Sequence, residues 1–144
     1  GAETVKDRKP VWLKQFWFAG CHSDIGGSYS EPESRLSDIA LQWMVDELKE
    51  CVPGVQIREE LLVTSPDPFG LQHAEEYLIR LGPLKIKWPY GLREINEAPL
   101  HPSVVQRLEA ESVPQMGEIK QYRPVNLAKH SSAKGYFDKA TERR

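Results

Sequence analysis

Cysteine is scarce in this sequence: Cys21 and Cys51 are the only two, and they form no CxxC pair. A disulfide scaffold or a zinc ribbon is therefore excluded. Long apolar runs are missing as well, since none approaches the roughly 18 residues that a membrane-spanning helix needs. The first ten residues are charged and hold no apolar core, so no secretory signal peptide is expected. That points to cytoplasmic synthesis, with any export following a route that uses no classical signal peptide. Charge of one sign is also lacking, because 19 Lys and Arg face 21 Asp and Glu for a net charge of −2. Nothing in that balance calls for a nucleic-acid partner. No repeat, biased tract or sustained heptad is visible, which removes collagen-like, mucin-like and coiled-coil classes. What remains is 144 residues, 40% hydrophobic and 28% charged, enough for one globular domain or part of one.

The most apolar stretch is residues 11–19 (VWLKQFWFA). Successive side chains of an extended chain alternate sides, so Phe16, Trp17 and Phe18 place aromatics on both faces. A strand apolar on both faces belongs in a sheet covered on both sides, which indicates an α/β fold. Gly20 ends this strand, and Gly26-Gly27 marks a tight turn. From Leu36 the period becomes helical: Leu36, Ile39, Ala40, Trp43, Met44 and Leu48 share a face, with Glu47 inside that arc and Val45 outside it. Ser34 or Ser37 could cap this helix, and Pro53-Gly54 stops it. Residues 65–70 (SPDPFG) are turn-forming, and residues 71–81 are assigned a short helix. The four prolines of residues 83–102 predict extended segments and loops. Pro102 opens a helix to about Ala110, with Val104, Val105 and Leu108 facing inward. Residues 129–144, with five basic and two acidic side chains, read as a disordered basic tail.

Chemistry is concentrated in residues 16–29, FWFAGCHSDIGGSY, where a buried strand runs into a polar turn with His22, Ser23 and Asp24. Active sites of open α/β sheets lie beyond the carboxyl ends of strands. An imidazole at His22 could act there as a general base at neutral pH, while a structural or capping histidine fits the position equally.

Residues 17–29 (WFAGCHSDIGGSY) and 36–47 (LSDIALQWMVDE), followed by LHPSVVQRL at 100–108 and YRPVNL at 122–127, resemble a known family. It is the α/β-hydrolase domain of type VI secretion phospholipase effectors and their uncharacterised bacterial and fungal relatives. The four motifs fall in the family's order. The resemblance implies a Ser-His-Asp esterase whose serine sits in a G-x-S-x-G elbow, with His22 matching the histidine of the G-x-H-S-D-[IV]-G-G pattern. In the chain order of α/β-hydrolases, serine and acid precede histidine. Both are therefore expected upstream of Gly1 and missing from this chain. Residues 1–128 would then form the carboxyl-terminal portion of such a domain: a partial α/β-hydrolase-like fold with the last core strand, the histidine loop, a covering helix and irregular segments. The implied substrate is a phospholipid or another carboxylic ester. No cofactor is implied, and the isolated chain is expected to be inactive because triad members act as a unit.

Substitutes within the chain are weaker. Gly26-Gly27-Ser28-Tyr29-Ser30 lacks the final glycine of an elbow and follows the histidine, which disfavours Ser28 as nucleophile. Cys21 and His22 are adjacent at a strand end and point apart, so Cys21 reads as a small buried side chain. Asp24 reads as a turn former bonding its own backbone. Gly26 and Gly27 form no GxGxxG fingerprint, so no dinucleotide is implied. His73 and His101 invite a metal site with His22 and Asp24, yet no H-x-x-x-H spacing supports one, and His101 reads better as a helix-entry residue. Trp12, Trp17, Trp43 and Trp88 read as core or lid aromatics, and Trp88-Pro89-Tyr90 could border an acyl-chain cleft. The rival reading is a non-catalytic interaction or scaffold domain that keeps the hydrolase motifs; a metal-dependent hydrolase ranks below it. The exposed edge of a lone strand predicts self-association or a complex with an amino-terminal hydrolase portion. The basic tail could touch an anionic membrane surface weakly.

Overall fold

The computed structural model describes residues 13–74, 78–81, 84–87 and 91–141. Four helices are present among them: α1 (His22–Gly26), α2 (Arg35–Cys51), α3 (Pro102–Glu109) and α4 (Lys134–Thr141). Four short strands, β1 (Leu78–Leu81), β2 (Leu84–Lys87), β3 (Val113–Gln115) and β4 (Glu118–Lys120), make two separate antiparallel pairs, β1 with β2 and β3 with β4. No helix among the described residues is long and apolar enough to cross a membrane.

The apolar segment ending at Ala19 is extended and makes one isolated parallel bridge, between Trp17 and Leu100. The Trp17 N–H donates to the Pro99 carbonyl at 2.9 Å, and the Trp17 carbonyl accepts from the His101 N–H at 2.9 Å. Alternation along the segment divides its aromatics. Phe16 and Phe18 face Trp43 of α2, with ring centroids 5.8 and 5.5 Å away. Trp17 turns to the other side and packs against the core, its indole N–H donating to Asn96 Oδ1 at 3.1 Å.

That core gathers Ala19, Leu100, Val104 and Leu108 of α3, Val113, Tyr122, Leu127 and Ala133, all buried. Arg107, on the same helix, is fully buried. Its guanidinium donates to the carbonyls of Pro68 at 2.7 Å, Gly70 at 2.9 Å and Pro114 at 3.4 Å, and lies over the Tyr122 ring. One side chain thus ties α3 to the loop after α2 and to β3. Burial pulls the guanidinium pKa below its ordinary value.

Several sequence expectations change. Helix α2 spans its expected length, but Val45 is buried while Met44 is 58% and Leu48 41% exposed. The inner face is set by α1 and by the strap of residues 62–70, where Asp38 Oδ2 accepts from the Ser65 N–H at 2.9 Å. Neither Ser34 nor Ser37 caps the backbone; their hydroxyls donate to the carbonyls of Glu31 and Ser34. The short helix expected over residues 71–81 is instead an extended segment through Gln72, bridged to Gln115, and strand β1. Residues 129–141 are not a disordered tail: His130 and Ala133 are buried, and α4 follows. The His130 Nε2 lies 3.1 Å from the Ala98 carbonyl, and Ser131 bonds Glu97, so polar side chains anchor a segment with few apolar ones. Trp12 and the Trp88-Pro89-Tyr90 run fall outside the described residues.

Candidate functional site

The expected polar turn at residues 22–24 is a five-residue helix, α1, which begins directly after Gly20 and Cys21. Gly20 takes φ +127°, and a Cβ there would overlap the Cβ of Asp24. The bend thus needs glycine both for its backbone conformation and for the room it leaves. Helix α1 closes with Gly27 at φ +76°, the second position where positive φ is required; Gly26 has open space around it and no positive φ. His22 is the first residue of α1 and is exposed.

His22 borders an open cleft of about 650 Å³. Phe16, Trp17, Phe18 and Ile25 give it an apolar wall, and Arg93, Asn126 and His73 add polar groups. No serine and no carboxylate lies among the described residues lining it.

Behind His22, Asp24 is buried, with a side-chain exposure of 0%. Its Oδ2 accepts from the backbone N–H of Cys21 at 3.0 Å and of His73 at 3.1 Å. Its Oδ1 lies 2.7 Å from His73 Nδ1. A carboxylate only accepts, so in this contact the imidazole would be the donor, through Nδ1–H. The other ring nitrogen, Nε2, is enclosed without a hydrogen-bond partner among the described residues, 3.9 Å from Glu33 Oε2. The His73 ring stacks on Tyr29 at a centroid distance of 3.6 Å, and the Tyr29 hydroxyl is 3.8 Å from Cys21 Sγ. Burial first, and then the thiol, pushes the Tyr29 phenol up to about 12.

Of the residues singled out by sequence, the structure joins Asp24 with His73 and sets His22 beside them on the cleft. Asp24 does bond its own turn, at Cys21, but its second attachment is to His73. His101 stands apart from the pair: it stacks on Phe18 at 4.5 Å and accepts from the Ser103 N–H at the start of α3. Burial holds its imidazole below the ordinary 6.5. Among the described residues no group of three His, Cys, Asp or Glu side chains is placed to hold a metal ion. Cys21 is half-buried and lines the cleft; Ser28 is exposed and lies outside its lining. Tyr29 and Glu33 were missed because nothing local in the sequence links them to His73. The aromatic two residues beyond Gly27 was the available signal for Tyr29.

Residues 2–47 match the family model described as T6SS, Phospholipase effector Tle1-like, catalytic domain. The matched stretch contains the extended segment, α1 with His22 and Asp24, and most of α2. It supports a lipase-like hydrolase in general terms. Comparison with curated proteins and with solved structures returned no match.

Proposed function

We propose that this chain is the histidine-bearing part of a lipase-like serine hydrolase, in a partial α/β-hydrolase-like fold, with His22 as general base. The observation that carries the reading is the placement of His22: first residue of α1, directly after the apolar extended segment, on the rim of an aromatic-walled cleft. The match of residues 2–47 to a phospholipase effector catalytic domain supports it. Substrates would be phospholipids or other carboxylic esters, with an acyl chain against Phe16, Trp17 and Phe18.

In this reading the nucleophilic serine and the acid are supplied from outside these 144 residues. His22 takes the proton of the serine hydroxyl as its oxygen bonds to the ester carbonyl carbon, then returns a proton to the departing alcohol. Water repeats the sequence on the acyl-enzyme and releases the acid. The remaining hydrolase sheet would pair with the backbone edge of residues 13–19 opposite Leu100.

The test is labelling with a fluorophosphonate, read by intact mass. The 144-residue chain alone stays unlabelled, whereas the natural polypeptide that carries this sequence is labelled in a His22-dependent manner. Labelling of the short chain that vanishes in His22→Ala would place a complete triad within it. No labelling of either shifts the assignment to a non-catalytic interaction domain, a reading favoured by the exposed apolar stripe Leu41, Met44 and Leu48 on α2, continued by Val52 just past its end.

A further inference from the structure

The Asp24–His73 pair has the hydrogen-bond pattern of the acid–base half of a catalytic triad, in which a buried carboxylate holds an imidazole by Nδ1–H. As a proton acceptor for a ligand it is badly placed. Its second nitrogen is enclosed, 3.9 Å from Glu33 Oε2, so although the ring borders the cleft this atom is not presented to a substrate there. The pair instead grips the element that carries His22.

We propose that His73 is a positioning residue for His22, acting through the carboxylate of Asp24; the role rests on the hydrolase reading above. Helix α1 has five residues, too few to hold its own geometry, because nucleation fixes several dihedrals for each first hydrogen bond. Its backbone bonds to the flanking residues are Ile25 N–H to the Cys21 carbonyl and Gly27 N–H to the Ser23 carbonyl. External support is needed, and Asp24 supplies it. One carboxylate oxygen closes the first turn at Cys21 and also accepts the His73 amide; the other accepts the His73 ring. The Tyr29 ring covers one face of the imidazole.

His73 is itself held firmly. One residue earlier, the Gln72 N–H donates to the Pro114 carbonyl at 3.1 Å and the Gln72 carbonyl accepts from Met116 at 2.7 Å. Arg107 grips the carbonyls of Pro68 and Gly70 just before that. A rigid path therefore runs from α3 through Arg107, the Gln72 bridge, His73 and Asp24 to the first turn of α1. A general base must stand within about 0.5 Å of its productive place, so such support shows in the catalytic step rather than in binding.

The test has two readouts that fail separately. In ester hydrolysis by the natural polypeptide, His73→Leu should lower kcat about 10- to 100-fold with KM within about twofold. His73→Asn, whose amide nitrogen takes the place of Nδ1, should restore most of that loss. A changed KM with kcat unaltered overturns the role. Hydrogen exchange on the 144-residue chain needs no activity. The Ile25 and Gly27 amides should exchange about tenfold faster in His73→Leu and near the parent rate in His73→Asn, with α3 protection unchanged. Unchanged α1 exchange overturns the proposal. An absence of hydrolysis in the parent with the expected exchange pattern counts against the hydrolase reading alone. Should His73→Leu not fold, nitrogen NMR of the unaltered chain decides: His73 must carry its proton on Nδ1, and an Nε2–H tautomer overturns the proposal.

Discussion

Gly20 and Asp24 stand so close that a Cβ on the first would overlap the Cβ of the second. The missing methyl lets Asp24 fold back under the bend and reach both the Cys21 amide and His73. Gly20→Ala would meet two penalties at once, a positive φ and a steric overlap in a packed site. We expect a loss of about 2–4 kcal/mol, or local unfolding of α1. Gly26→Ala, with open space around it, should cost well under about 1 kcal/mol. Urea denaturation of the two variants checks this, and equal effects would sink the argument.

Arg107 should be the most sensitive charged residue in the described chain. Arg107→Met fills similar space but leaves the carbonyls of Pro68 and Gly70 without their donor in a buried site. Loss of such charge-assisted bonds costs about 2–4 kcal/mol. Arg107→Lys keeps the charge but has a single point donor in place of the fork, so it should recover less than half of the loss. Full recovery by lysine would mean that charge, and not geometry, is what the site needs. Chemical denaturation followed by tryptophan fluorescence gives the comparison.

The legible parts of this molecule were those with local causes. Pro102 at a helix start and the apolar pair Val104 and Leu108 are enough to define α3, and Pro53-Gly54 stops α2 within a few residues of its end. Helix α1 looks like a turn in the sequence because five residues carry no period, and its stability comes from Asp24 and α2 rather than from propensity. The Asp24–His73 contact joins positions 49 residues apart, and nothing in either neighbourhood names the other. Strands β1 and β2 were within reach, since LIRL and LKIK flank Gly82-Pro83 as a hairpin pattern would. The charge of the tail says nothing of its anchoring: His130, Ser131 and Arg123 fix it through hydrogen bonds that composition does not reveal.

The two faces of α2 should answer differently to polar substitution. Met44→Gln alters a side chain already largely in water and should shift stability by less than about 0.5 kcal/mol, and Leu48→Gln, at a side chain about two-fifths exposed, by less than about 1 kcal/mol. Leu36→Ala and Ile39→Ala remove buried groups and should cost about 2–4 kcal/mol each. If Met44 and Leu48 prove as sensitive as Leu36, that stripe is covered in solution, and sedimentation or light scattering would then show an association that the substitutions abolish.

His101 sets an acid limit on stability. Burial lowers its folded-state value below the ordinary 6.5, so the folded chain holds the neutral imidazole. Neutrality also suits its bonds, since Nδ1 accepts from the Ser103 backbone N–H at the entry to α3. With the folded value depressed, this contribution is complete above pH 6.5 and is lost as pH falls through the folded value, because the unfolded chain binds the proton more readily. Tm measured from pH 8 down to pH 5 should therefore fall with acid. His101→Asn keeps a side-chain oxygen to cap α3 but cannot titrate. It should have a lower Tm than the parent at pH 8, where the Phe18 stack is lost, and a smaller drop toward pH 5. His22, His73 and His130 are common to both proteins, so the difference between the two curves isolates residue 101. Parallel curves would show that this imidazole is not the group that acid unlocks.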